Sequence, residues 1–85
     1  MQWTIHVARR AEKQLSHFPG KGRERILAAL QMMCDDPFSG DIVRLTNQPT
    51  AWRRRVGSYR IFFDLYPDQF LVEVVDISRR TSTTY

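Results

Sequence analysis

The stretch Trp52-Arg53-Arg54-Arg55-Val56-Gly57-Ser58-Tyr59-Arg60-Ile61-Phe62-Phe63 constrains this chain more than any other. Two runs rich in aromatic and β-branched residues flank a Gly-X pair, and glycine supplies the positive φ that a type II′ hairpin turn needs at its first central position. A two-residue turn fixes the register: Val56 opposite Tyr59, Arg55 opposite Arg60, and Arg53 opposite Phe62. Because side chains alternate along a strand, Arg53, Arg55, Arg60, Phe62 and Asp64 then share one face. Trp52, Val56, Tyr59, Ile61, Phe63 and Leu65 share the other. The second set reads as a core face and the first as a basic platform. Arg54 breaks the pattern by falling on the core face. It is expected at the sheet margin, with its stem covering apolar surface.

The remaining elements follow from periodicity. Gln2 to Val7 alternates, with Trp3, Ile5 and Val7 on one side, and predicts a first strand. Ala8, Ala11, Leu15 and Phe18 are spaced for a short helix that Pro19-Gly20 breaks. Ile26, Leu27, Leu30 and Met33 form an apolar stripe on a second helix, from about Lys21 to Asp35, stopped by Asp35-Asp36-Pro37. Ile42 to Leu45 is a short strand, Asn47-Gln48-Pro49-Thr50 a loop, and Pro67-Asp68-Gln69 a turn before a last strand from Phe70 to Ile77. The order β-α-α-β-β-β makes an α+β fold, with a helical hairpin packed on one face of a largely antiparallel sheet. Eighty-five residues without a repeat or linker are expected to form a single domain.

Composition narrows the function. The net charge is +4, and of 13 basic residues only Lys13 and Lys21 are lysines. Arginine binds phosphate through a planar fork and stacks on bases, where lysine offers a point charge. A basic domain with this bias points to a polyanionic partner, nucleic acid foremost. The plainer alternative is a solvated surface that happens to use arginine. The lone Cys34 allows no internal disulfide, and no apolar run approaches the length of a membrane span, so the expectation is a cytoplasmic protein without a membrane partner. His6 and His17 lack a second ligand at metal-binding spacing, and there is no GxSxG, P-loop, GxGxxG or CxxC. Neither a metal nor any other cofactor is expected.

The platform is where chemistry is expected. Arginines placed directly opposite one another, as Arg55 and Arg60 are, cost stability unless an anion draws them together. Past the last strand lie Arg79 and Arg80, near the platform if that strand pairs with the second strand of the hairpin. Tyr85 follows, either to stack on a base or as part of a frayed end.

These residues also carry a family resemblance. The hairpin resembles the W-R-x-R-V-G-x-Y-R-I-hydrophobic core of the RelE/ParE toxin superfamily. The likeness extends to the aromatic first strand, to Ala11-Glu12-Lys13-Gln14-Leu15, to Asp36-Pro37, to Leu45, and to Arg79, Arg80 and Tyr85. It implies a microbial RNase-like fold and a cognate antitoxin. For RelE-type members it implies ribosome-dependent, metal-independent cleavage of mRNA in the A site, by attack of a ribose 2′-OH on the adjacent phosphate. Carried across, Arg53 and Arg55 match the two basic positions of the first hairpin strand, Arg60 the phosphate-binding arginine, Arg79 or Arg80 the C-terminal arginine and Tyr85 the terminal tyrosine. Arg55, Arg60, Arg79, Arg80 and Tyr85 are thus the expected catalytic residues, and Arg44, Arg53 and Phe62 are expected to contact RNA. Several RelE-type nucleases have lysine at the first two hairpin positions, and others use a Glu-His pair. Here both positions are arginine and no histidine falls at the matching positions. Guanidinium is a poor base, so charge stabilisation is the role left to it. Asp64, water or a ribosomal group remain as proton acceptors. Two other readings stay open: a ParE-type inhibitor of DNA gyrase without nuclease activity, and a non-toxic basic RNA-binding domain.

Overall fold

The computed structural model describes residues 2–80. Five strands form one sheet in the order β1-β5-β4-β3-β2. They are β1 (Thr4–Val7), β2 (Asp41–Arg44), β3 (Trp52–Val56), β4 (Tyr59–Tyr66) and β5 (Leu71–Arg79). Two helices, α1 (Arg9–His17) and α2 (Gly20–Asp35), intervene between β1 and β2. Among the described residues the β1–β5 pair is parallel and the other three pairs are antiparallel. The expected α+β architecture is therefore the observed one.

The hairpin register is the one the turn dictates: Val56 pairs with Tyr59, Arg55 with Arg60 and Arg53 with Phe62. Gly57 has φ +59°, and Ser58 is not left-handed, as a type II′ turn requires. The helices are separated only by Phe18 and Pro19, which cap the end of α1 and the start of α2. A residue before proline is steered away from helical angles, and Phe18 accordingly has ψ 152°.

The core lies between the helices and one sheet face. Ala11, Ile26, Ala29, Leu30 and Met33 meet Tyr59, Ile61, Phe63, Val72, Val74 and Ile77 there, all buried. Gly22 lets α2 approach β4 closely, since a Cβ at that position would lie 1.9 Å from the Tyr59 hydroxyl oxygen. α1 runs beside β5, and Gln14 accepts a hydrogen bond from the Ile77 amide at 2.7 Å. This occupies strand backbone that the four-residue β1 is too short to cover.

Element ends differ from the sequence expectation for identifiable reasons. β1 starts at Thr4, because the Trp3 amide donates to the Cys34 carbonyl at the end of α2 instead of joining the ladder. β2 ends at Arg44, because the Leu45 amide closes the following loop onto the Ala51 carbonyl. β5 runs on to Arg79, paired with Tyr59. It contains an irregularity opposite Phe62 and Phe63, whose partners are Asp76 and Val74, leaving Val75 extra. One inserted residue reverses the alternation. Both Val74 and Ile77 can thus face the core although they are three apart.

Arg54 requires a correction. It does not cover surface at a margin but is itself covered, only 5% exposed. Nη1 donates to the carbonyl and hydroxyl oxygens of Ser39 at 2.7 and 3.0 Å, and Nε has no partner among the described residues. Burial lowers its pKa from the usual guanidinium range. The segment between α2 and β2 folds over it, and Gly40, at φ +79°, leaves room: a Cβ there would come within 2.7 Å of the Arg54 guanidinium. The sequence pattern located the side of the sheet but not the cover.

Candidate functional site

The face that the helices leave open is built in three rows across the strands. Asp41, Arg55, Arg60 and Ser78 form the first row. Val43, Arg53, Phe62 and Asp76 form the second. Asp64, Glu73 and His6 form the third. The first two rows carry the hairpin arginines and the third carries none.

A groove crosses this face, lined by Arg53, Arg60, Phe62, Ser78 and Arg80, with Arg44, Thr46 and Gln48 on its β2 side. Four arginines thus border one concavity. Phe62 and Gln48 also line an adjoining hollow that continues to Arg10, Thr50 and Asp76. The loop between β2 and β3 supplies that wall. It is held in place by the Ala51 amide, which donates to the Asp64 carboxylate at 2.8 Å. Asp64 therefore has a structural partner and sits beyond the arginine rows.

The electrostatics are one-sided. Arg60 has its pKa lowered, first by partial burial and then by the neighbouring charges of Arg53, Arg55 and Arg80, with only Asp41 acting in the opposite sense. A guanidinium stays protonated at neutral pH regardless, so the shift marks crowded positive charge and not a loss of it. Arg55 is tied to Asp41, whose Oδ2 lies 2.7 Å from Nε and 2.6 Å from Nη2. The Nε of Arg53 is buried without a partner among the described residues.

The structure separates residues that the sequence left together. The inserted residue in β5 sends Arg79 to the helix side, where its guanidinium lies 5.6 Å from the centre of the Tyr59 ring. Arg80 goes to the groove, its amide donating to the Ser58 carbonyl at 2.6 Å. Arg44 borders the groove while its guanidinium lies over Trp52, 5.4 Å from the ring centre. Arg55 stands on the groove face beside Arg60 but is engaged by Asp41. Tyr85 lies outside the described residues.

Three features escaped the sequence reading. Asp41 was not recognised as a neighbour of Arg55, because a seven-residue connection does not set a register as a two-residue turn does. His6 and Glu73 pair across β1 and β5 at 2.7 Å, on the open face. Asp76 gathers Arg10 and Gln14 from α1, at 3.2 and 2.5 Å. Among the described residues no group of three or more His, Cys, Asp or Glu side chains could hold a metal ion. No described helix is long and apolar enough to cross a membrane.

Together the fold and the groove define a small α+β protein that covers one sheet face with two helices and lines the other with arginine. Its fold is that of the RelE toxins. RelE in an archaeal RelE–RelB complex from Pyrococcus horikoshii superposes with a TM-score of 0.82 over 98% of this chain and 100% of that chain, at 17% identity. A RelBE toxin–antitoxin complex from Mycobacterium tuberculosis gives 0.81, covering 94% and 100%, also at 17% identity. The isolated RelE toxin of E. coli gives 0.76, covering 95% and 87%, at 15% identity. No family model and no curated protein matches the sequence. The likeness therefore lies in how the chain folds.

Proposed function

We propose that this chain is the single-domain toxin of a toxin–antitoxin pair and acts as an endoribonuclease on mRNA in the ribosomal A site. The observation that carries this reading is the convergence of Arg53, Arg60 and Arg80 on one groove floored by Phe62. Three cations around an aromatic ring suit a phosphodiester with a base beside it. The fold shared with RelE proteins solved in complex with RelB supports a cognate antitoxin as partner.

In this mechanism Arg60 and Arg53 hold the scissile phosphate, with Arg55 beside them. The ribose 2′-oxygen attacks phosphorus and the P–O5′ bond breaks, leaving a 2′,3′-cyclic phosphate and a 5′-hydroxyl. Negative charge grows on the non-bridging oxygens and the departing 5′-oxygen, and preorganised guanidinium groups stabilise it most where water is excluded. Arg80, at the end of β5, meets the charge on the leaving 5′-oxygen, which takes its proton from water. Arg79 faces Tyr59 on the other side and is assigned no contact with RNA. Tyr85 retains the role of stacking on or orienting the nucleotide. The groove lining contains neither lysine nor histidine. The 2′-OH proton accordingly passes to water or to a group that the ribosome contributes. No step calls for a metal.

The test is primer extension on mRNA in a reconstituted translation system, comparing wild type with Arg60→Ala. Ribosome-dependent cleavage within A-site codons, lost in the variant, supports the nuclease. Intact mRNA with continued translation rejects it, and an induced DNA-damage response in expressing cells then selects the gyrase inhibitor. Cells that tolerate the free protein without an antitoxin select the plain RNA-binding domain.

A further inference from the structure

The first row of the open face holds one carboxylate among its cations. Asp41 opens β2 directly across from Arg55, and Arg55 is directly across from Arg60. The Asp41 oxygen is not merely near: Oδ2 meets both Nε and Nη2 of Arg55, at 2.7 and 2.6 Å. That side of a guanidinium offers two parallel N–H groups, which phosphate oxygens engage in a forked, charge-assisted contact. A carboxylate inside the protein thus occupies a phosphate-binding edge. It also supplies the negative charge without which two opposed arginines would repel across the hairpin.

We propose that Asp41 is the resident counter-anion of the arginine platform: its carboxylate holds the phosphate-binding edge of Arg55 while the groove is empty and yields it to an RNA phosphate on binding. The inference rests on reading the groove as a phosphate site. Exchange is feasible because the pair is open to water, with the Arg55 and Asp41 side chains 51% and 44% exposed. Ion pairs that exposed are worth little and are screened by salt. Once displaced, the carboxylate is hydrated at the edge of the sheet, and one phosphate can lie between Arg55 and Arg60. Asp41 therefore has opposite effects in the two states. It stabilises the empty fold and competes with the anion, which restrains indiscriminate binding to RNA.

That opposition separates a counter-anion from a residue that only supports the fold. Wild type and Asp41→Asn are compared by thermal melting in phosphate-free buffer, with and without inorganic pyrophosphate, and by binding of a fluorescein-labelled single-stranded RNA. The expected result is a lower melting temperature for Asp41→Asn without anion and a larger upward shift with pyrophosphate. RNA should bind about fivefold more tightly at low salt, the equivalent of an exposed ion pair, with a salt dependence steeper by about one released ion. In an Arg55→Gln background, Asp41→Asn should lose this gain. Equal or smaller stabilisation by pyrophosphate in Asp41→Asn overturns the proposal. So does RNA that wild type binds and Asp41→Asn binds no tighter, a result that leaves the phosphate reading of the groove intact. A pyrophosphate gain without RNA binding by either protein supports the exchange and removes the RNA reading instead. Should Asp41→Asn not fold, the comparison is made in Arg60→Gln, where the opposing cation is gone. Asp41→Asn must still increase the pyrophosphate shift there, and failure to do so overturns the proposal.

Discussion

The two faces of the sheet solve opposite problems with neighbouring residues. On the helix side Ile61 and Phe63 are fully buried against α2 and β5, and each contributes by leaving water. On the open side Arg60 and Phe62, one position away in each case, face a groove with other arginines. Arg60 opposes Arg55 in a contact that weakens the fold. One strand therefore carries stability on its odd-numbered positions here and prospective chemistry on the even ones. The difference teaches that the opposed arginines of the open face depend for their stability on the burial behind them, on the other face. Arg54 and Arg55 make the same point with one residue type. Arg54 is enclosed and bonded to Ser39, while Arg55 remains half in water against Asp41.

This division can be broken from either side. The largest effect is expected from Phe63→Ala, which empties a fully buried aromatic position. A loss of about 3–5 kcal/mol is expected, a large part of the stability of a small domain, read by urea denaturation. Arg60→Ala should do the reverse. Cleavage in the reconstituted system should fall by about 10²–10³-fold, the usual loss on removing one transition-state donor, while the melting temperature stays level or rises. A large fall in melting temperature for Arg60→Ala would show that the open face is structural after all. Gly22→Ala should cost about 1–3 kcal/mol by overpacking against buried Tyr59. Its effect on RNA binding should come only through the folded fraction. The smallest contrast is between adjacent residues. Arg80→Ala should weaken RNA binding several-fold and reduce the salt slope by about one. Arg79→Ala should leave both near wild type, because its cation–π contact at Tyr59, worth about 0.5–1 kcal/mol, is on the other face. Equal losses in RNA binding for the two variants would mean that the β5 irregularity does not sort them as observed.

Much of this arrangement was legible in the residues. Gly57-Ser58 set the hairpin, and from it came the pairing of Arg55 with Arg60 and the segregation of Arg53 and Phe62 from Ile61 and Phe63. The break at Pro19 was equally plain, and so was the α2 stripe at Ile26, Leu30 and Met33, which are buried. Leu27, expected in the same stripe, is half exposed because it lies a step of about 100° round the helix from Ile26. The surroundings of the platform were not. Nothing in the β5 sequence marks Val75 as the inserted residue, so the choice between Arg79 and Arg80 waited on the strand pairing. The long loop before β3 likewise hid the juxtaposition of Asp41 and Arg55.

By itself, then, the sequence determined the elements, the hairpin register and the separation of a basic face from an apolar one. Each of these follows from backbone geometry over a few residues: a turn that needs glycine, a strand period of two and a helical period of 3.6. Only the tertiary structure decided that Arg54 is enclosed, that Arg80 and not Arg79 borders the groove, and that Asp41 stands against Arg55. Those outcomes depend on which residues distant along the chain are brought together, and on one inserted residue that reverses a strand's alternation. Packing across the whole sheet selects them; no local preference does.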